Sequence, residues 1–211
     1  MPEPVASPST ELAKLGVLLV DEPTLRRIVK ASLRGHDIAG LRVPHHHCFV
    51  AARADLERLR PLTRLALDGM PERVIVVTGD RGELAAGDGD AWQRVWRLVF
   101  HSRVHVALDE LVARGELTIA GARERIAQIG QAELDEAREV LRQEHLLLPP
   151  ANELATYIEL AALYLELRYF APDAVEHTFP AIADPTKLDA LIARDLDAEA
   201  LLAASRPPQA P

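Results

Sequence analysis

The sequence predicts a mainly α-helical protein, in which a C-terminal helical bundle follows a small N-terminal α/β region containing one or two short strands. Three observations carry this expectation. From residue 90 onward the chain is a succession of helix-length segments separated by short connections rich in Gly, Pro, Asn and Asp, the pattern of antiparallel helix neighbours. Two of these segments, residues 90–114 and 152–170, carry apolar residues on nearly every side at about 100° per residue, which marks buried helices. The clearest strand signal, VIVVTG at residues 74–79, is β-branched and precedes them all. The expected organisation is a disordered lead at 1–10, the α/β region at 11–89, the bundle at 90–204 and a disordered tail at 205–211.

The elements follow in order. The lead MPEPVASPST holds three prolines and small polar residues, too few apolar groups to order a chain. ELAKLGVLLV, residues 11–20, suits a short helix or a buried strand equally, because periodicity does not separate them in a short apolar run. Pro23 then fits the first turn of a helix that carries Leu25, Ile28, Val29 and Leu33 on one face and ends at Gly35. Glycines and Pro44 make the next stretch irregular. His45, His46, His47 and Cys48 are adjacent, and in an extended segment they point alternately to opposite faces. They are read as a polar loop entering a short strand, HCFVA, rather than as a ligand cluster. A helix over residues 54–67 contains Pro61, which breaks or kinks helices. After VIVVTG, the Gly/Asp stretch DRGELAAGDGD reads as a turn region, and the strand before it as part of a small hairpin or a sheet edge. Neither a phosphate-binding Gly-Lys-Ser/Thr loop nor calcium-loop spacing is present. Asp90 is the expected N-cap of the next helix, with Gln93 closing a capping box.

In the second half, Gly115 ends the first long helix, Thr118 caps one over residues 119–129 and Gly130 ends that one. Residues 131–145 show one apolar stripe, Leu134, Ala137, Val140 and Leu141, against charged residues elsewhere: a surface helix. His145 suits a helix C-terminus, where the dipole favours a cation. Asn152 caps the second buried helix and Pro172 closes it. Asp184 before Pro185 starts a helix holding Leu188, Leu191 and Ile192, and residues 197–204 add a last turn or two. Tyr157, Tyr164 and Tyr169 spread around their helix and read as core or interface packing.

Composition narrows the classes of function. The 211 residues carry 48% hydrophobic and 27% charged side chains and a net charge of −8, and the pI is near 5.5. An acidic chain whose arginines alternate with acids offers no clustered phosphate-binding surface, so a nucleic-acid partner is not expected. No uninterrupted apolar run approaches membrane-spanning length, so no membrane partner is expected. The N-terminus lacks a basic start and an apolar signal core, and the expected location is cytoplasmic. One cysteine, Cys48, excludes an intramolecular disulfide and multi-thiolate zinc sites. Lys14, Lys30 and Lys187 are the sole lysines; with abundant Ala, Leu and Arg this suggests a bacterial genome of high GC content.

The chemistry concentrates in the two buried helices. Arg97, His101 and His105 stand four residues apart and form one polar ridge. Glu159 and Glu166, seven apart, share a face of the second helix. Buried carboxylates need hydrogen bonds, a cation or a metal, and the economical arrangement is that the two ridges meet. His101 and His105 at i, i+4 can bind one ion, with Glu159 or Glu166 as a further ligand and water completing the shell. The implied cofactor is one divalent transition metal such as zinc. The spacing is that of the His-Glu-x-x-His helix of zinc peptidases, but Ser102 stands where that motif has its general base, so the chain is not assigned to that family and no catalytic residue is named. Two functions follow from these residues. One is a helical binding or scaffold module with a protein partner, its helices registered by a buried His/Arg/Glu network. The other is a metal-dependent hydrolase using His101, His105, Glu159 and Glu166.

Overall fold

The computed structural model describes residues 7–32, 47–63, 65–147 and 152–211. They fall into two units, residues 1–102 with 204–211, and residues 103–203. The protein is mainly α-helical, with a small mixed sheet in its N-terminal part.

The first unit opens with α1 (Pro8–Lys14), so helix begins inside the expected disordered lead. Ser7 accepts the Thr10 N–H and Pro8 occupies the first turn, a start that small polar and proline residues serve as well as disorder does. Residues 1–6 lie outside the described chain. The ambiguous run 11–20 divides at Gly16, whose φ of 71° makes the turn from α1 into β1 (Val17–Val20). α2 (Glu22–Ser32) buries Leu25, Ile28 and Val29, while Leu33, Gly35, Pro44, His45 and His46 lie outside the described residues. β2 (Cys48–Ala52) leads directly into α3 (Arg53–Thr63), which includes Pro61 in its last turn and stops short of residue 67.

β3 (Arg73–Thr78) is the central strand, in the order β1-β3-β2, and not an edge or half of a two-stranded hairpin. It pairs parallel with β1, Val17 opposite Ile75, and antiparallel with β2, Phe49 opposite Val76. One face, with Leu18, Val20, Val74 and Val76, packs with Leu25, Ile28, Val29 and Leu56 of α2 and α3. On the other face lies α4 (Arg81–Ala85), capped by Asp80, where the sequence suggested only turns. A strand covered on both faces reads as an unbroken apolar run, which is why β1 resembled a helix segment.

α5 (Gly89–Ala113) is capped by Asp88, whose Oδ1 accepts the N–H groups of Asp90 at 2.9 Å and Ala91 at 3.2 Å, so Asp90 is not the cap. The unit boundary lies within α5 rather than before residue 90. The first half of α5 belongs with the sheet: a Cβ on Gly79 would meet Val95 at 3.2 Å and Leu19 and Leu84 at 3.3 Å, and the Trp92 indole donates to the Leu84 carbonyl at 3.0 Å.

The C-terminal residues return to this first unit. The Trp96 indole donates to Ser205 Oγ at 3.1 Å, the Arg206 guanidinium stacks 5.1 Å from the Trp96 ring centre, and Arg206 donates to the Ala210 carbonyl at 3.2 Å. Ser205 and Ala210 are buried. The tail is therefore packed, contrary to the disorder its prolines suggested: one cation–π contact and a few hydrogen bonds tie down a segment whose own composition favours no regular element.

The second unit contains α6 (Ile119–Ile129), α7 (Gln131–Gln143) and α8 (Glu153–Phe170), followed by a 3-10 turn (Pro172–Ala174), α9 (Val175–Thr178), α10 (Pro185–Ile192) and α11 (Ala198–Ser205), whose last residues belong to the first unit. Thr118, Asn152 and Asp184 cap α6, α8 and α10 as the sequence implied. α8 is the core of this unit, with Tyr157, Leu160, Ala161, Ala162 and Tyr164 fully buried. Gly115 and His145 end α5 and α7 with left-handed backbones. His145 takes the position glycine usually holds, and the N–H of Leu146 reaches back to the Leu141 carbonyl at 2.8 Å.

Candidate metal centre

Two helices build the site. α5 runs from the first unit into the second, and His101 falls where its neighbours Val99, Phe100 and Val104 are fully buried. His101 is 3% exposed, and His105, one turn on, has a side chain 17% exposed. α8 presents Glu159, 16% exposed, whose Oε2 lies 3.4 Å from His105 Nε2. One ligand atom from each of His101, His105 and Glu159 can be chosen so that all three lie within 4.8 Å of one another.

That spacing suits a metal. With bonds of 2.0–2.2 Å, tetrahedral ligands around zinc stand about 3.4 Å apart, the separation of the His105–Glu159 pair. A pair at the 4.8 Å limit would close to that separation by about 1.4 Å of side-chain movement. Two imidazoles and a carboxylate are borderline donors for zinc or ferrous iron.

The other expected members take different places. Glu166 is buried at 6% exposure but lies two helical turns, about 10.5 Å along α8, from Glu159 and stands outside the set of three. Arg97 is exposed, so the buried part of the ridge begins at His101. Ser102 is buried next to His101. His47 is exposed, with its ring nitrogen 3.3 Å from Thr78 Oγ1, whereas Cys48 is buried in β2. Adjacent residues on a strand diverge, so these two form no shared site.

Sequence reasoning missed a polar centre in the same unit. The Tyr157 hydroxyl donates to Asp195 Oδ2 at 2.6 Å, and Arg125 places its fork on both oxygens of that carboxylate, at 2.5 and 3.1 Å. Burial, then the Asp195 carboxylate, holds the Tyr157 phenol well above its ordinary pKa, and hydrogen bonding to Asp195 raises that of Arg125. Tyr164 likewise donates to Asp189 at 2.8 Å and to the Pro185 carbonyl at 2.9 Å. These partners are separated by 21 to 70 residues, a distance at which periodicity carries no signal.

No helix among the described residues is long and apolar enough to cross a membrane. No protein-family profile, curated protein or solved structure matches the chain.

Proposed function

We propose that this chain is a metal-binding helical protein that holds one divalent transition ion, such as zinc, through His101, His105 and Glu159. The observation that supports this reading is the convergence of these three donors, from two helices, within 4.8 Å. Bound there with an open position, the ion would supply Lewis acidity and a water of lowered pKa, which makes metal-dependent hydrolysis the reaction class we favour. The peptidase arrangement is not part of the proposal, because Ser102 occupies the position of that motif's glutamate.

A second reading has its own support. His105 and Glu159 are already at ion-pair distance, 3.4 Å, so the cluster also serves as a structural network fixing the register of a binding or scaffold module with a protein partner. Among the described residues Ile119 is the one large hydrophobic side chain classed as exposed, so a partner face would be polar or built from smaller apolar surfaces.

Metal content separates the two. The full chain, purified without a metal-binding tag, is compared with His101→Ala/His105→Ala by elemental analysis and circular dichroism. Near one equivalent of a transition metal in the wild type, lost from a folded double variant, is the expected result. Metal absent from both, with a variant markedly less stable, would replace the metal reading with the structural network.

A further inference from the structure

An open groove of about 600 Å³ lies in the second unit beside the C-terminal turns of α8, where the chain leaves α10 and turns through residues 193–197 into α11. Its size is that of a small-molecule site. The groove shares no residue with the His101, His105 and Glu159 cluster.

Its walls are of two kinds. Leu165, Ile192 and Leu196 supply an apolar floor. The polar wall holds Arg168, Tyr169, Asp189, Asp197 and Glu199, three carboxylates against one guanidinium. Arg168 is matched locally: its Nε lies 3.5 Å from Asp189 Oδ2, while Asp189 Oδ1 takes the Tyr164 hydroxyl. Asp197 uses Oδ1 to accept the Ala200 N–H at 2.9 Å, capping α11. Among the described residues no ion pair joins Asp197 or Glu199 to a cation. Both carboxylates are exposed, at the rim of a floor formed by the edges of otherwise buried apolar side chains. Their field reaches Tyr169, whose phenol is held above its ordinary pKa by burial first, then by Glu199, Asp189 and Asp197.

We infer that this groove binds a small organic cation, an amine carried on an apolar body, with the ammonium group against Asp197 and Glu199 and the body over Leu165, Ile192 and Leu196. A bare metal ion would leave the apolar floor unused, and an anion would meet uncompensated carboxylates. Charge complementarity and an apolar contact together select a protonated amine. The Tyr169 ring adds a polarisable wall on which such a cation is favoured.

The test is calorimetric titration of the full chain with phenethylamine, protonated at neutral pH, and with phenethyl alcohol as its uncharged counterpart. The expected result is saturable one-to-one binding of the amine, with the alcohol weaker by about two- to fivefold. Asp197→Asn/Glu199→Gln, in which asparagine still caps α11, should weaken the amine by a similar factor. Ala193→Phe, a change at an exposed position on the groove rim, should block the amine while leaving every charge in place, so the proposal does not depend on the charge variant folding. Equal binding of amine and alcohol, undiminished amine binding to Ala193→Phe, or no amine binding would overturn the inference.

Discussion

Asp195 shows how much one carboxylate can organise. Its side chain is 5% exposed and its Arg125 partner 17%, so neither charge is well solvated and each depends on the other. Replacing Asp195 by Ala strands the guanidinium and should cost about 3 kcal/mol. Tyr157→Phe removes one donor and leaves the Arg125 fork intact, and should cost about 1–2 kcal/mol. Urea denaturation of both variants and their double mutant checks this, and the double should lose less than the sum because both changes act on one carboxylate. Equal losses from the two single changes would show that the phenol, and not the ion pair, carries the network. None of this was legible in advance. Tyr157 reads as an apolar core residue, because its ring is indeed buried and its hydroxyl partner lies 38 residues away.

At the scale of the element, the helix starts are where local sequence speaks most directly. Asp184 accepts the N–H groups of Thr186 at 3.0 Å and Lys187 at 3.3 Å, and the Thr186 hydroxyl. Asp21 accepts Thr24 N–H at 2.8 Å at the start of α2. Hydrogen bonds from Thr186 and from Thr24 respectively are the largest cause holding each carboxyl below its reference value of 3.8. A lowered folded-state pKa contributes stability that is present above the unfolded value and lost as pH falls through the folded one. Stability should therefore fall as the pH drops below about 4, and Asp21→Asn/Asp184→Asn, which keeps acceptors but removes the titration, should flatten that decline. Thermal unfolding between pH 2 and 6 would show it; an unchanged slope would assign the acid sensitivity to other carboxylates. The residues 118, 152 and 184 were readable as caps because a capping side chain bonds within its own first turn. Asp88 was not, because two acids, Asp88 and Asp90, flank the same start and the choice depends on where α5 meets α4.

At the scale of the whole molecule, the C-terminal segment belongs to the first unit although it follows the last helix of the second. Ser205 holds the Trp96 indole and Arg206 covers its ring, so deletion of residues 205–211 should expose Trp96. A red-shifted and more readily quenched tryptophan emission, with a loss of about 1–2 kcal/mol from the exposed ring and the lost cation–π contact, is the expected outcome. An emission spectrum identical to that of the full chain would mean that the tail contributes nothing to this packing.

The sequence by itself determined the mainly helical class, the small α/β part, the two buried helices and the i, i+4 histidine pair. Each of these depends on periodicity or on bonds made within one turn, and such signals are complete in a few neighbouring residues. Tertiary structure alone decided which acid meets His105, that Glu166 stands apart from it, that β3 is central, that α5 continues from one unit into the other, and that a proline-rich tail packs on Trp96. These outcomes turn on the rotation and offset of elements far apart in the chain, and a buried helix that is apolar on every side gives no indication of which face its polar residues will present to which neighbour.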